Sequence, residues 1–379
     1  GNWLVNGGKT NTADIPSLVS TLLTWERVRS FNVGFDFGAF SNRLTGSFDY
    51  FVRKAVDMVG PAPQLPLVLG IAPAIVNNAD MKSYGFEIEL SWRDRIGEVD
   101  YGVKFNLADA QQKVVKYPNT TNAFSDWYAG KMSGEIWGYT SLGIAKTDEE
   151  MKEHLASLPN GGQNQLGNKW GAGDIMYADI NGDGKIDGGK GTLADPGDQR
   201  IIGNSTPRYN FGLVLDASYK GFDVSIFFQG VGKRDYAPIV GTNGAVFWGA
   251  VNNIWQSMAM EEHFDYFRPE GHPMGANLNG YYPRPDFTSN KNHQVQTRYL
   301  QDASYIRLKN LQIGYTLPKQ WINKLHINRC RVYVSGDNLW TGTSLASMFD
   351  PETLAAGDWG SGKTYPLSKV ISFGLNVNF

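Results

Sequence analysis

Apolar residues recur at every second position through most of this chain, and no other feature narrows its fold so far. Phe31, Val33, Phe35 and Phe37 alternate with Asn32, Gly34, Asp36 and Gly38. Tyr84, Phe86, Ile88, Leu90 and Trp92 alternate with Gly85, Glu87, Glu89, Ser91 and Arg93. The pattern returns at Val99 to Leu107, at Phe211 to Tyr219 and at Phe222 to Phe228, and it closes with Ile371, Phe373, Leu375, Val377 and Phe379. Successive side chains of an extended backbone point to opposite faces, so each run describes a strand with one apolar and one polar face. The runs pair as hairpins across Ser41-Asn42, Asp94 to Gly97 and Lys220-Gly221, and about ten strands follow from the pattern. Several reach the roughly 9–11 residues that cross a bilayer at a tilt, against about 5–6 in typical soluble sheets.

Two long irregular stretches, Lys113 to Pro207 and Gly232 to Gln301, interrupt the hairpins. Such lengths are uncommon inside compact soluble domains and usually carry function. A membrane barrel has this asymmetry, with short turns on one side and long loops on the other. A soluble antiparallel sandwich shares the alternation, and on pattern alone it stays open. Two features favour the barrel. The polar faces carry charges and amides along whole strands, as a wet lumen requires, and the last strand ends on Phe379 in its apolar phase.

Composition excludes several classes. With 35 basic and 37 acidic residues among 379, the formal charge is -2, without the basic excess of a nucleic-acid binder. The single cysteine, Cys330, excludes an intrachain disulfide framework and a cysteine-based zinc site; beside Arg331 to Val334 it reads as a small packed residue. The most apolar stretch, Leu65 to Val76, is broken by Pro66, Gly70 and Pro73, so no transmembrane helix is expected. A barrel needs none. The chain opens at Gly1 without a signal peptide, and a fragment of a longer protein is expected.

Four patterns bear on chemistry. Asp179, Asn181, Asp183, the Lys185 carbonyl and Asp187 occupy positions 1, 3, 5, 7 and 9 of a calcium-loop pattern, with Gly184 at the turn. Position 12 is Lys190 rather than an acid, and Asp195 or Asp198 would have to complete the set. The alternative is an Asp/Asn/Gly turn without metal. Gly357 to Thr364 matches the P-loop pattern, but Tyr365-Pro366 and a strand follow where a helix is needed, so it reads as a coincidental glycine-rich loop. None of the five histidines has the paired spacing of a zinc site; His154 on a short helix and Glu261-Glu262-His263 read as solvated faces. Trp248, Trp255, Tyr281 and Tyr282 sit in the long loops, where flat rings could stack on a ligand or partner, the alternative being loop packing.

Further segments carry a family resemblance. They are Thr24-Trp25-Glu26-Arg27 leading into Asn32 to Asp36, Asn42 to Gly46, Asn77 to Met81 with Tyr84 to Glu87, and Gly134 to Tyr139. They continue with Asp179 to Asp187 running on to Ile202-Gly203-Asn204, Phe228-Gln229-Gly230, Tyr282-Pro283-Arg284, Ser304 to Asn310, Ser335 to Leu339 and the strand to Phe379. In this order the chain resembles the SusC/RagA class of TonB-dependent outer-membrane transporters of Bacteroidetes, along nearly its whole length. The resemblance implies an all-β fold, the C-terminal portion (1–379) of an antiparallel transmembrane barrel of roughly 22 strands with long extracellular loops, its plug and N-terminal domains lying elsewhere. It implies a bacterial outer-membrane location and no enzymatic activity. It implies import of oligosaccharides or oligopeptides, driven by TonB through a plug segment not in this chain and assisted by a SusD-like surface lipoprotein. The Asp179 loop would then face the calcium-containing exterior, and lipid would bathe the apolar face. Two competing expectations are a secreted calcium-containing glycan-binding or adhesion module and an extracellular glycoside hydrolase, whose paired carboxylates would stand roughly 5–10 Å apart.

Overall fold

The computed structural model describes residues 20, 23–60, 74–238, 246–249, 260–286, 290–323, 326–354 and 364–379, with the backbone also of 4–5, 8–9 and 245. Nine strands form its wall: β1 Arg27–Ala39, β2 Leu44–Val59, β3 Asn77–Ile96, β4 Val99–Lys116, β5 Arg208–Tyr219, β6 Phe222–Lys233, β7 Tyr305–Thr316, β8 Arg329–Thr343 and β9 Val370–Asn378. Each pairs antiparallel with its neighbour in sequence, so the sheet is an up-and-down meander. It does not close: β1 and β9 are its two edges.

The alternation fixes which way every strand faces, because a slip of one residue would exchange the faces. Phe35 on β1 faces Phe48, which faces Ile88, Leu107 and Phe211 in turn on β2 to β5. The next row runs Leu90, Phe105, Leu213, Phe228, Leu308 and Trp340 from β3 to β8. This apolar face is uncovered: Phe35 is 60% exposed and Phe373 85%. A soluble sandwich would bury it against a second sheet, so lipid is the solvent it fits.

The hairpin turns expected from sequence are present. Ala39 faces Leu44, Ile96 faces Val99 and Tyr219 faces Phe222. Tight reversals need positive φ, supplied by Gly97 and Gly221, and by Phe40, Ser41 and Asn42 at φ 53°, 59° and 63°. Aromatic rings gather at this end, with Phe40 against Trp92 at 5.9 Å and Phe222 against Tyr315 at 4.5 Å. They form the interfacial belt that a barrel places at a membrane surface.

The described parts of the long connections, 117–207 between β4 and β5 and 234–304 between β6 and β7, lie at the opposite end. The first contains two small strand pairs, Glu135–Gly138 with Arg200–Asn204 and Ser141–Ile144 with Ile175–Tyr177. It also holds α1, Asp148–Ala156, where the Thr147 hydroxyl accepts the Glu150 N–H at 3.1 Å and Glu150 accepts the Lys146 N–H at 2.6 Å. His154 on α1 is half-buried, 3.1 Å from Gln163 Oε1. Cys330 is buried on β8, as its sequence setting predicts.

Candidate functional site

The polar face of the wall is the first part of the candidate site. One row crosses eight strands as Asp36, Ser47, Glu89, Asn106, Gly212, Gln229, Arg307 and Thr341. A cavity of about 1050 Å³ opens at the short-turn end of this wall, lined by Asp36, Asn42, Ser47, Glu89, Lys104 and Asn106 with their neighbours. Phe37, Leu90, Phe105 and Val214 border the same cavity, so a solute there meets charge and hydrogen-bonding groups beside apolar surface.

Toward the loops, Arg307 fastens the segment that follows β8 onto the same face. Its side chain is almost fully buried, and Nε donates to Thr341 Oγ1 at 2.8 Å. Nη1 donates to Glu352 at 2.6 Å and Nη2 to Asp350 at 2.7 Å. Lys309 Nζ holds the other Glu352 oxygen at 2.6 Å. Arg234 donates to the carbonyls of Pro351 and Leu354 at 3.3 and 3.1 Å. Arg307 stands in one row with Gln229 and Thr341, so residues 344–354 lie on the polar side of the wall, beside a cavity of about 290 Å³. Burial pushes the Asp350 carboxyl up, but the Glu352 N–H and the Arg307 guanidinium outweigh it and leave it below the usual range. Two carboxylates around a desolvated guanidinium satisfy each other, whereas one alone would be an uncompensated buried charge.

Above the wall the long loops share one aromatic core. Phe247 and Trp248 are fully buried, with Tyr177, Tyr282 and Tyr299. The Trp248 ring lies edge-on to Tyr299 at 4.7 Å, and its Nε1 donates to the Pro238 carbonyl at 3.3 Å. Of the residues expected to contact a ligand or partner, Trp248 and Tyr282 have their rings packed inside this core. Tyr281 is half-buried, its hydroxyl accepting from Gln301 at 2.8 Å. Trp255 lies outside the described residues, as do Gly357 to Lys363 of the P-loop-like segment. Strand β9, not a helix, follows that segment. His263, expected on a solvated face, is buried instead, with Nε2 3.0 Å from the Val246 carbonyl.

Asp174 ties the two long loops together, and no spacing in the sequence marks it. It is fully buried and accepts from Arg284 at 2.7 and 2.6 Å, Lys291 at 3.0 Å, Asn292 at 2.9 Å and the Gly171 N–H at 2.9 Å. Lys291 is equally buried, 5.0 Å from the Trp170 ring centroid. The only sequence signal was the run Tyr282-Pro283-Arg284, which named a segment and not its role.

The Asp179 loop is closed by its own hydrogen bonds. Asp179 accepts the N–H groups of Gly182, Asp183 and Gly184 at 2.6, 3.3 and 2.8 Å. Asn181 accepts the Asp183 N–H at 3.0 Å. Lys185 Nζ stands 2.5 Å from Asp187 and 3.7 Å from Asp183, between the carboxylates a cation would join. The Lys185 ammonium holds the Asp187 carboxyl below the usual range, while burial pushes the nearby Asp198 carboxyl up. Among the described residues no group of three or more His, Cys, Asp or Glu side chains is arranged to hold a metal ion. The Lys185 ammonium supplies a positive charge among these carboxylates.

The family described as TonB dependent receptor-like, beta-barrel matches residues 2–339. The TonB-dependent receptor P3 of Formosa agariphila is 28% identical over 406 residues, covering 99% of this chain and 36% of its own length. The TonB-dependent receptor SusC of Bacteroides thetaiotaomicron is 21% identical, covering 96% of this chain and 33% of its own. The solved RagAB peptide transporter superposes with a TM-score of 0.71 at 23% identity, over 98% of this chain and 38% of that one, a likeness of fold alone. The chain spans about a third of the length of these curated relatives.

Proposed function

The chain belongs to the TonB dependent receptor-like β-barrel family of the bacterial outer membrane, and on that premise we propose that the complete protein imports a polar oligomer, an oligosaccharide or an oligopeptide. The supporting observation is the sheet itself. Nine consecutive strands carry a bare apolar band on one face, giving way to charged groups toward the loops, and line the other with carboxylates, amides and guanidinium groups. That is the wall of a water-filled passage through lipid. The segment 344–354 fastened by Arg307 stands on that passage, where it narrows the way for cargo. TonB would supply energy through a plug outside this chain, and a SusD-like lipoprotein would deliver cargo at the loop end. The family is one of transporters, and no catalytic role is assigned to any residue. The bare apolar face counts against a secreted soluble module.

The test uses the full-length protein in its own outer membrane. Uptake of labelled glycan and peptide oligomers is compared between the parent strain, a deletion strain and a strain without TonB. Loss of uptake of one oligomer class in both mutants supports the proposal and names the cargo. Unchanged uptake of every class in the deletion strain overturns it.

A further inference from the structure

Toward the loops, the apolar face ends in four cations on four neighbouring strands. Arg29 on β1 faces Lys54 on β2, Lys54 faces Lys82 on β3, and Lys82 faces Lys113 on β4. The row directly beneath is Phe31, Val52, Tyr84 and Gln111, so the four side chains leave from the lipid side of the sheet. The Lys82 ammonium lies 5.2 Å from the Tyr84 ring centroid, its stem along that surface.

Like charges directly opposite on paired strands destabilise the pair, and here three such pairs stand in succession. The acids of this rim have other first partners, although Asp57 also feels the Arg29 charge at longer range. Asp57 pairs with Arg27, Asp109 pairs with Arg208, and Asp80 accepts the Asp57 N–H at 3.0 Å. Among the described residues none of the four cations is in an ion pair. The three lysines are therefore left without a paired anion, and Arg29 has only a distant one.

Position identifies the source of such an anion. Lys82 and Trp92 of the turn-end aromatic belt share β3. At about 3.3 Å per residue and a tilt of about 40°, they stand roughly 25 Å apart in membrane height, the height of a barrel's apolar band. The row thus lies at headgroup level in the leaflet that faces the loops. Strands about 4.8 Å apart set the charges side by side over roughly 15 Å, wide enough for two phosphates of one lipid.

We infer that Arg29, Lys54, Lys82 and Lys113 form a binding site for the phosphate groups of an outer-leaflet lipid. Lysine acts there as a point charge, Arg29 adds a planar fork, and Phe31, Val52 and Tyr84 beneath take the acyl chains. The occupant is a membrane lipid rather than free phosphate, because on β1 to β3 the charged row runs directly into the apolar face.

The test is native mass spectrometry of the detergent-purified full-length protein, titrated with bisphosphorylated lipid A, dephosphorylated lipid A and inorganic phosphate. The wild type is expected to retain the phosphorylated lipid at least about tenfold more strongly than the dephosphorylated one. The variant carrying Arg29→Gln, Lys54→Gln, Lys82→Gln and Lys113→Gln is expected to lose that preference, while Lys319→Gln at the turn end keeps it. Equal retention of both lipids by the wild type overturns the inference without any variant. So does unchanged preference in the fourfold variant, or displacement of the lipid by inorganic phosphate.

Discussion

In the wall, Phe35, Ile88 and Phe373 stand in rows on the outside of a sheet; in the loop cap, Phe247, Trp248 and Tyr282 are sealed inside. Charges are reversed in the same way. The wall spreads Asp36, Glu89 and Lys104 along an open cavity, while the cap buries Asp174 and Lys291 against each other. The wall is solvated by lipid on one side and water on the other, so each residue type goes where its solvent is. The cap has water outside and only itself within, so its rings collapse together and its charges must find partners.

The contrast breaks most visibly at Asp174. Asp174→Ala leaves Arg284 and Lys291 without their shared carboxylate and is expected to destabilise the cap by about 3–5 kcal/mol, the cost of orphaning a buried charge. Limited proteolysis of the full-length protein should then cut within 117–207 and 234–304 while the barrel keeps its heat-modifiable migration. Loss of barrel migration as well would mean that cap and wall fold as one unit.

A matched pair on one strand tests the faces. Ile88→Arg places a charge in lipid and should cost about 2–4 kcal/mol of refolding free energy in lipid vesicles. Glu87→Arg, one residue away on the wet face, should cost little. Equal costs would remove the assignment of faces.

The fastening of 344–354 sharpens the comparison, since it joins cap to wall. The folded Asp350 carboxyl lies below its unfolded value of about 3.9, so its contribution is fully present above that value and is lost as pH falls through the folded one. Protease accessibility of 344–354 should rise below about pH 4. Arg307→Gln should open the segment at pH 7 and flatten the pH dependence. A profile identical in wild type and variant would deny Arg307 this role.

The smallest effect belongs to the Asp179 turn. Asp179→Ala removes the acceptor of three N–H groups and should loosen residues 179–187 by about 1 kcal/mol, read by hydrogen exchange. Calcium at this turn is a proposal that the same protein can test. With Lys185 in the cation's place, exchange should not change on adding calcium. Protection that appears with calcium and vanishes in Asp183→Ala would restore the metal.

The wall was legible because strand periodicity is local. Phe31 to Phe37 and Ile371 to Phe379 declared their faces without reference to any partner, and Gly97 and Gly221 marked their turns. The bounds of the long loops were legible for the same reason, since alternation stops and restarts there. Trp248 looks the same in sequence whether it packs or binds, and its burial became visible only in the fold. His263 reads as a charged-helix residue beside Glu261 and Glu262, yet the carbonyls of Val246 and Phe247 draw it inward.

By itself the sequence determined a period of two, and with it strand directions, the membrane-facing side and the family. Those properties follow from side chains a few residues apart. Only the tertiary structure decided that Asp174 meets Arg284 and Lys291, that Arg307 fastens Asp350 and Glu352, and that Arg29, Lys54, Lys82 and Lys113 stand in one row. Each of these depends on the register between strands or loops far apart in the chain. A register is set by the sum of many cross-strand contacts, and no single segment carries it.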